Sequence, residues 1–373
     1  MNIPPSSRED SIRFPCISVI IPHFDRPRLL RAAVESVLSS PYPDLDLIVV
    51  DDGSPDDAWR THIHSTDPRV RTFVREDGVK GPSRCRNLGM LHARGDYIVF
   101  LDSDDIMTPW CLEERLKLAL QAPEADLWVF PVMLFKKIPG DMDLLWNAMT
   151  GDCDPVERFA RSDPPWHTSS PLWKRESLLR LGGFNEEVFY GDDSDLHLRA
   201  LVDGLIVRLY PEALPDAFVR RSEEPRITND LSAMLIESRR IRLREGTRFL
   251  KSRSGTSRLL DWWEGQYFVA AEFLLFNQHR SSDALRAVLN DWEQAFPRPL
   301  LLRFVVQAYF SVALACRRHA YLVLRVARRV AMKVLPAEYF PTGGQYHSAT
   351  ISATAMAAVL ERLAQGNSPR ESP

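Results

Sequence analysis

The sequence has no Cys-x-x-Cys pair, no His-Glu-x-x-His segment, and no glycine-rich basic loop after its first apolar run. Its five cysteines, Cys16, Cys85, Cys111, Cys153 and Cys316, are scattered and odd in number. That pattern gives neither a paired zinc site nor a disulfide framework, and it suits a reducing compartment. No apolar run follows a basic start ahead of Pro15, so no secretory signal is read and a cytoplasmic location is expected. An excess of one charge is missing too. Lys+Arg number 47 against 50 Asp+Glu, a formal net charge of -3, which argues against a chain that coats nucleic acid. No internal repeat is visible.

What is present is a chain of 373 residues, 45% hydrophobic and 26% charged, enough for a sizeable core and at most two domains. From Ile17 to about Leu134, short apolar runs alternate with amphipathic stretches. Strands are expected at 17–21, 47–50, 70–74, 97–101 and 126–134, with helices at 26–38, 82–93 and 109–120 between them. Asp25 is placed to cap the first helix, and Pro27 falls in its first turn, where a missing N–H costs little. Strands this apolar, separated by helices, imply a mainly parallel sheet covered on both faces. The middle, 135–181, reads as irregular and is followed by a strand at 205–210. Beyond about Pro225 the pattern turns helical. The expected division is therefore an extension over 1–15, an α/β domain over 16–224, a helical region over 225–365 and a disordered tail over 366–373.

Three acidic clusters mark the first half: Asp51-Asp52, Asp102-Ser103-Asp104-Asp105 and Asp192-Asp193-Ser194-Asp195. The first two directly follow Val50 and Leu101, so they emerge on the carboxyl edge of the sheet, where open α/β sheets bind ligands. Carboxylates gathered this way repel one another unless a cation or a shared proton offsets the charge. An Asp-x-Asp pair is too short for a closed cage. It suits Mg2+ or Mn2+, with substrate phosphates and water completing the shell. Asp51-Asp52-Gly53-Ser54 alone could equally be a turn, since turns favour Asp and Gly. Composition and spacing do not name the reaction.

Five segments, in order, resemble the family 2 inverting glycosyltransferases. They are Ile17 to Asp25, Ile48 to Ser54, Arg86-Asn87-Leu88-Gly89, Gly95 to Asp105, and Gly182 to Glu186 continuing through Gly191 to Arg199. The resemblance implies a GT-A fold, a Rossmann-like, mainly parallel sheet with helices on both faces, followed here by a mostly α-helical C-terminal region. It implies a nucleotide-sugar donor, most simply a UDP-sugar, and a glycan or lipid-linked glycan acceptor in bacterial surface polysaccharide synthesis. By the same resemblance, Pro22, Phe24, Asp52, Arg86, Asn87, Asp102 and Ser103 lie on the nucleotide-sugar side, with Phe24 where the family usually has Tyr. Asp104, helped by Asp102, would ligate Mn2+ or Mg2+. Asp193 matches the general base, with Asp192 and Asp195 tuning it, and Asp192 stands where the family usually has Glu. Trp166, His167 and Trp173 are acceptor-side candidates, with a packed loop as the equal alternative.

Within the second half, Pro299 to Leu335 carries Arg and Lys but no Asp or Glu. Val323, Val326, Ala327, Val330 and Val334 share one helical face, with Arg317, Arg318, Arg325, Arg328 and Arg329 opposite. Residues 317–335 are thus expected to form a basic amphipathic helix suited to an anionic membrane surface. Leu300 to Cys316 is expected to pack on the core. A catalytically inactive glycan-binding or scaffold protein on the same fold is the alternative function, and a sugar-phosphate nucleotidyltransferase a weaker one.

Overall fold

The computed structural model of the protein describes residues 15–61, 63, 67–151, 154–221, 233–276, 282–316, 321–340 and 349–366. The first half runs β1 (Ile17–His23), α1 (Pro27–Leu38), β2 (Leu45–Asp51), α2 (Ala58–Thr61), β3 (Val70–Val74), α3 (Pro82–His92), β4 (Tyr97–Phe100), β5 (Ile106–Met107) and α4 (Cys111–Ala119). It continues through β6 (Leu127–Val129), β7 (Met133–Phe135), α5 (Pro155–Ala160), β8 (Pro171–Lys174), α6 (Arg175–Arg180), α7 (Asp192–Val202), β9 (Val207–Leu209) and β10 (Ala217–Arg220). Helices follow: α8 (Ala233–Lys251), α9 (Ser257–Phe276), α10 (Ser282–Ala295), α11 (Leu300–Cys316), α12 (Tyr321–Val334) and α13 (Ala353–Gly366).

A seven-stranded sheet has the order β3-β2-β1-β4-β8-β6-β9, and a three-stranded sheet has the order β5-β10-β7. The neighbours β3, β2, β1 and β4 are all parallel. In contrast, β8 runs antiparallel to both β4 and β6. The two-residue alternation of β1 decides the layering. Ile17, Val19 and Ile21 join Leu30, Val34 and Val37 of α1 in one buried cluster, while Ile20 joins Cys85 and Met90 of α3 in another. Helix α3 lies close to the sheet because Gly89 faces Ile20. A Cβ there would stand 2.5 Å from the isoleucine Cγ2.

The second cluster continues without a break into α8 to α12 through Trp166, Leu196, Leu198, Trp263 and Tyr267. The last helix, α13, returns to the first half. Val359 packs on Met133, Phe135 and Phe218 of the small sheet, and Arg362 meets Glu114 at 3.2 Å.

Several expectations shift. The single strand expected at 126–134 is two strands in different sheets, because Pro131 has no N–H to continue a ladder. The irregular middle holds α5, β8 and α6. Asp25 does not cap α1. It sits at φ 47° and donates its backbone N–H to Ser54 Oγ, and Arg26 takes the cap position. The basic stretch contains two helices, α11 and α12, and Arg317 and Arg318 lie outside the described residues. So do the boundary expected near 225 and most of both terminal segments.

Candidate active site at the sheet edge

Parallel registration brings the strand ends together. His23 pairs with Asp51 across β1 and β2, Asp51 with Val74 across β2 and β3, and Ile20 with Phe100 across β1 and β4. Pro22 is buried at the end of β1, whereas Phe24 just beyond it is 45% exposed. The Lys80 ammonium lies 4.2 Å from the Phe24 ring centroid and donates to the Gly53 carbonyl at 2.7 Å. Asp52 is buried, which pushes its carboxyl up, but the Gly81 N–H at 2.8 Å and the Arg75 guanidinium act against that shift. A cleft of about 210 Å³ lies between Asp52, Arg75, Asp77 and Lys80. Each carboxylate oxygen can accept twice, so Asp52 keeps capacity for a further donor.

Asp102 to Asp105 form a turn closed by the Asp105 N–H on the Asp102 carbonyl, 3.0 Å. Ser103 and Asp104 sit half-buried at its tip. Arg220 at the end of β10 braces the turn. Its N–H donates to Asp105 Oδ1 and its Nε to the Asp104 carbonyl, both at 2.9 Å. Asp104 Oδ2 faces Arg26 at 3.6 Å. Ligand atoms of Asp102, Asp105 and His167 all lie within 4.8 Å of one another. The structure therefore groups Asp105, rather than Asp104, with Asp102. His167 Nδ1 accepts from the Ser169 N–H at 3.3 Å, which puts the neutral ring's proton on Nε2. His167 Nε2, 4.0 Å from Asp102 Oδ2, is thus suited to donate, and ligation would require the other tautomer. Carboxylate oxygens from one turn fit Mg2+ or Mn2+, which take only one or two protein carboxylates beside phosphate and water.

Arg86, buried on α3, joins this turn to the third acidic cluster. It donates to Asp102 Oδ1 through Nη2 and to Asp192 Oδ2 through Nη1, each at 2.6 Å. Burial alone would depress the guanidinium, but the charges of Asp192 and Asp102 outweigh it and hold its pKa above the ordinary value. Asp192 also lies 2.9 Å from Ser83 Oγ, and Asp195 pairs with Arg199 at 2.8 Å. Asp193, in the first turn of α7, has among the described residues only local hydrogen bonds from Ser194, whose N–H donates at 2.7 Å. Desolvation first, and then the Asp192 charge, push its carboxyl up to about 6. A base near neutral pH needs such a value.

Other expected residues fall elsewhere. Trp166 and Trp173 are 1% and 0% exposed, so neither ring offers a face to a sugar. They belong to the core, edge-on and stacked respectively on the buried His197 ring. Asn87 is committed to the 183–186 turn, exchanging hydrogen bonds with the Phe184 backbone at 2.9 Å and reaching Glu186 at 3.0 Å. That corrects its placement on the nucleotide side. Gly183 allows the exchange, since at φ 67° a Cβ would stand 2.5 Å from the Asn87 Oδ1. The sequence reading missed Arg75, Lys80 and Arg220. Only their positions just after β3, before α3 and at the end of β10 could have flagged them.

Comparisons with known proteins address the family and the fold. The sequence model described as Glycosyl transferase family 2 matches residues 18–150. The glycosyltransferase GlyG of Streptococcus pneumoniae is 33% identical over 206 residues, which cover 51% of this chain and 67% of GlyG. The GalNAc(5)-diNAcBac-PP-undecaprenol beta-1,3-glucosyltransferase of Campylobacter jejuni is 30% identical over 187 residues, 49% of this chain and 58% of that one. The matches to the first relatives span 19% to 58% of their lengths. Among solved structures, S. aureus TarS 1–349 in complex with UDP-GlcNAc superimposes with a TM-score of 0.58 at 15% identity, over 85% of this chain and 92% of that one. The last likeness is one of fold. The α/β half is a GT-A fold, followed by a helical C-terminal region. The chain belongs to the family 2 glycosyltransferases.

Proposed function

We propose that the protein transfers a sugar, with inversion, from a UDP-sugar to a lipid-linked glycan acceptor in the assembly of a bacterial surface polysaccharide. The observation that carries this reading is Arg86. One guanidinium binds Asp102 and Asp192 at once, so the donor-side turn and the turn bearing Asp193 are held beside each other. The lipid-linked acceptor is suggested by the Campylobacter relative, whose name specifies an undecaprenol-linked substrate.

In this reading Phe24 and the Lys80 ammonium form one wall for the nucleobase, and Asp52 accepts its N–H. Pro22 shapes the same wall, and Ser103 lies on the donor side of its turn. Asp102 and Asp105 would hold Mg2+ or Mn2+, with Asp104 in the same turn. When bound, the cation would offset charge on the departing diphosphate. Asp193 takes the proton from the acceptor hydroxyl as that oxygen attacks the anomeric carbon. Asp192, fixed by Arg86 and Ser83, keeps a negative charge next to Asp193 and sustains its basicity. Asp195 anchors the helix through Arg199. His167, beside Asp102, is the remaining acceptor-side candidate.

We assign residues 321–335, the described part of the basic stretch 317–335, to contact with an anionic membrane surface. Val326, Val330 and Val334 are 53%, 56% and 58% exposed at four-residue spacing, with exposed Arg325, Arg329 and Lys333 one position earlier along the same turns. Buried valines would be expected if this face packed on the core. Instead Ala331 and Leu335 are buried, and Arg328 meets Glu272 at 3.1 Å. No helix among the described residues is long and apolar enough to cross a membrane.

The test is transfer from a panel of UDP-sugars to a synthetic undecaprenyl-diphosphate-linked saccharide, with and without Mn2+, and the product anomer read by NMR. Transfer with inversion that is lost on chelation supports the reading. Retention of configuration, or full activity after chelation, sinks the mechanism. Arg325, Arg329 and Lys333 changed together to Glu should abolish flotation with phosphatidylglycerol vesicles. Unchanged flotation refutes the membrane assignment.

A further inference from the structure

Helix α8 packs directly behind the turn that carries Asp193. Ser238 Oγ accepts from the backbone N–H groups of Phe189 and Tyr190, at 2.6 and 3.0 Å. On the same side of α8, Arg239 and Arg242 stand one turn apart. Their neighbours on the helix are all ion-paired: Arg240 with Glu237 and Asp291, Arg244 with the same two, and Arg248 with Glu245. Arg239 and Arg242 have neither an ion pair nor a hydrogen bond among the described residues, and the buried Nε of each is unpartnered. Arg242 is only 8% exposed.

Aromatic rings neighbour both guanidinium groups instead. Arg239 lies 4.3 Å from the Tyr190 ring centroid and 4.0 Å from that of Phe273. Arg242 lies 5.0 Å from the Trp263 ring and close beside Gly191, where a Cβ would stand 3.2 Å from its Nε. Stacking fixes a guanidinium in its plane and leaves the N–H fork at its edge unused. Such a fork matches phosphate oxygens. A buried cation also carries a desolvation penalty that an anion would offset. Burial indeed pulls the Arg242 guanidinium below its usual value, against the charges of Asp195 and Asp193. Asp195 is itself taken by Arg199.

We propose that Arg239 and Arg242 form a phosphate subsite beside the base turn, which receives the phosphate through which the acceptor sugar is linked to its carrier. The source of the phosphate rests on the lipid-linked acceptor proposed above. The subsite itself rests on the two arginines and their rings. It would place the acceptor on the Tyr190 side of Asp193, where α8 packs against the turn.

The test titrates inorganic phosphate and N-acetylglucosamine 1-phosphate by calorimetry into full-length enzyme saturated with UDP and Mn2+, so that the donor site is filled. Both should bind the wild type, the sugar ester more tightly. Arg239→Gln should weaken both by about tenfold, the loss of one charged hydrogen bond. Arg239→Lys, which keeps the charge without the fork, should weaken the sugar ester more than free phosphate. Absence of phosphate binding to the wild type, or unchanged binding to Arg239→Gln, overturns the subsite. Equal affinity for the two probes overturns its assignment to the acceptor. Arg239 is half-buried and its replacement is the safer one; Arg242→Gln is added where thermal unfolding shows that it folds. UDP binding and UDP-sugar hydrolysis by the variants report on the donor side alone, so a failed transferase reading would show there and not in the phosphate titration.

Discussion

Asp193→Asn should make the protein more stable and inactive at once, and the two effects have one cause. The wild-type carboxyl titrates near 6, against about 3.9 in an unfolded chain. A folded pKa above the unfolded one favours the folded state at low pH, and this contribution is lost as pH rises through 6. The difference is about two pKa units, so an ionised Asp193 costs the fold at most ~3 kcal/mol above pH 7. Asp193 is only partly buried, and we discount this to about 1–2 kcal/mol for solvent screening. Asparagine never ionises and escapes the cost. Urea denaturation of both proteins between pH 4.5 and 8 should therefore show the variant ahead at pH 8, with the gap closing as pH falls below 6. Over the same range, kcat/KM of the wild type should rise with pH through an apparent pKa near 6, and the variant should lose about 10²- to 10⁴-fold. A pH-independent stability gap, or transfer within threefold of wild type (about 0.7 kcal/mol in barrier), would refute the role given to Asp193.

Three further outcomes are expected. Arg86→Met leaves Asp102 and Asp192 without their shared cation; it should cost about 3–5 kcal/mol in chemical denaturation at pH 7.5, less at pH 4 where carboxylates gain protons. Trp173→Phe should lower the unfolding midpoint while leaving the acceptor KM within twofold, a change worth only about 0.4 kcal/mol of binding, because the ring is fully buried; a tenfold rise in acceptor KM would restore it to the acceptor side. In Mn2+ titrations of activity, Asp102→Asn and Asp105→Asn should each raise the half-saturating metal concentration by about tenfold or more, an effect on the scale of one charged contact, and Asp104→Asn by less; the reverse order would return the ligand role to Asp104.

The strand ends were legible because they obey local rules. Val-Ile-Ile, Ile-Val-Val and Ile-Val-Phe are too apolar for anything but buried strands, and the aspartates that stop them land on one edge by parallel pairing. Residues 70–74 were placed to the residue. The strand Pro171–Lys174 was not, because four residues beginning with proline carry little propensity. What makes them a strand is the gap between β4 and β6, a tertiary fact. The same reasoning separates Asp193 from Trp166 and Trp173. A carboxylate is costly to bury, so its sequence position already hints at function. A tryptophan in an irregular segment is equally at home on a sugar or in a core, and only the packing around His197 decides.

Arg86 gives the acidic edge a stable form without tying up its chemistry. Asp102 is divided between its two oxygens: Oδ1 accepts from Arg86, while Oδ2 is the oxygen turned toward His167. A cation drawn to the second oxygen need not displace the arginine from the first. Asp192 is likewise occupied, by Arg86 and Ser83, and in the proposed mechanism its charge acts on Asp193 by repulsion. The shorter Asp192, where relatives of this family usually carry Glu, fits that role because it needs to reach only α3. Lengthening it by Asp192→Glu would press the carboxylate into the Ser83–Arg86 face. The expected result is a lower unfolding midpoint with the acid limb of kcat/KM kept near 6, whereas a shift of that limb by a full unit would show that Asp192 itself takes the proton.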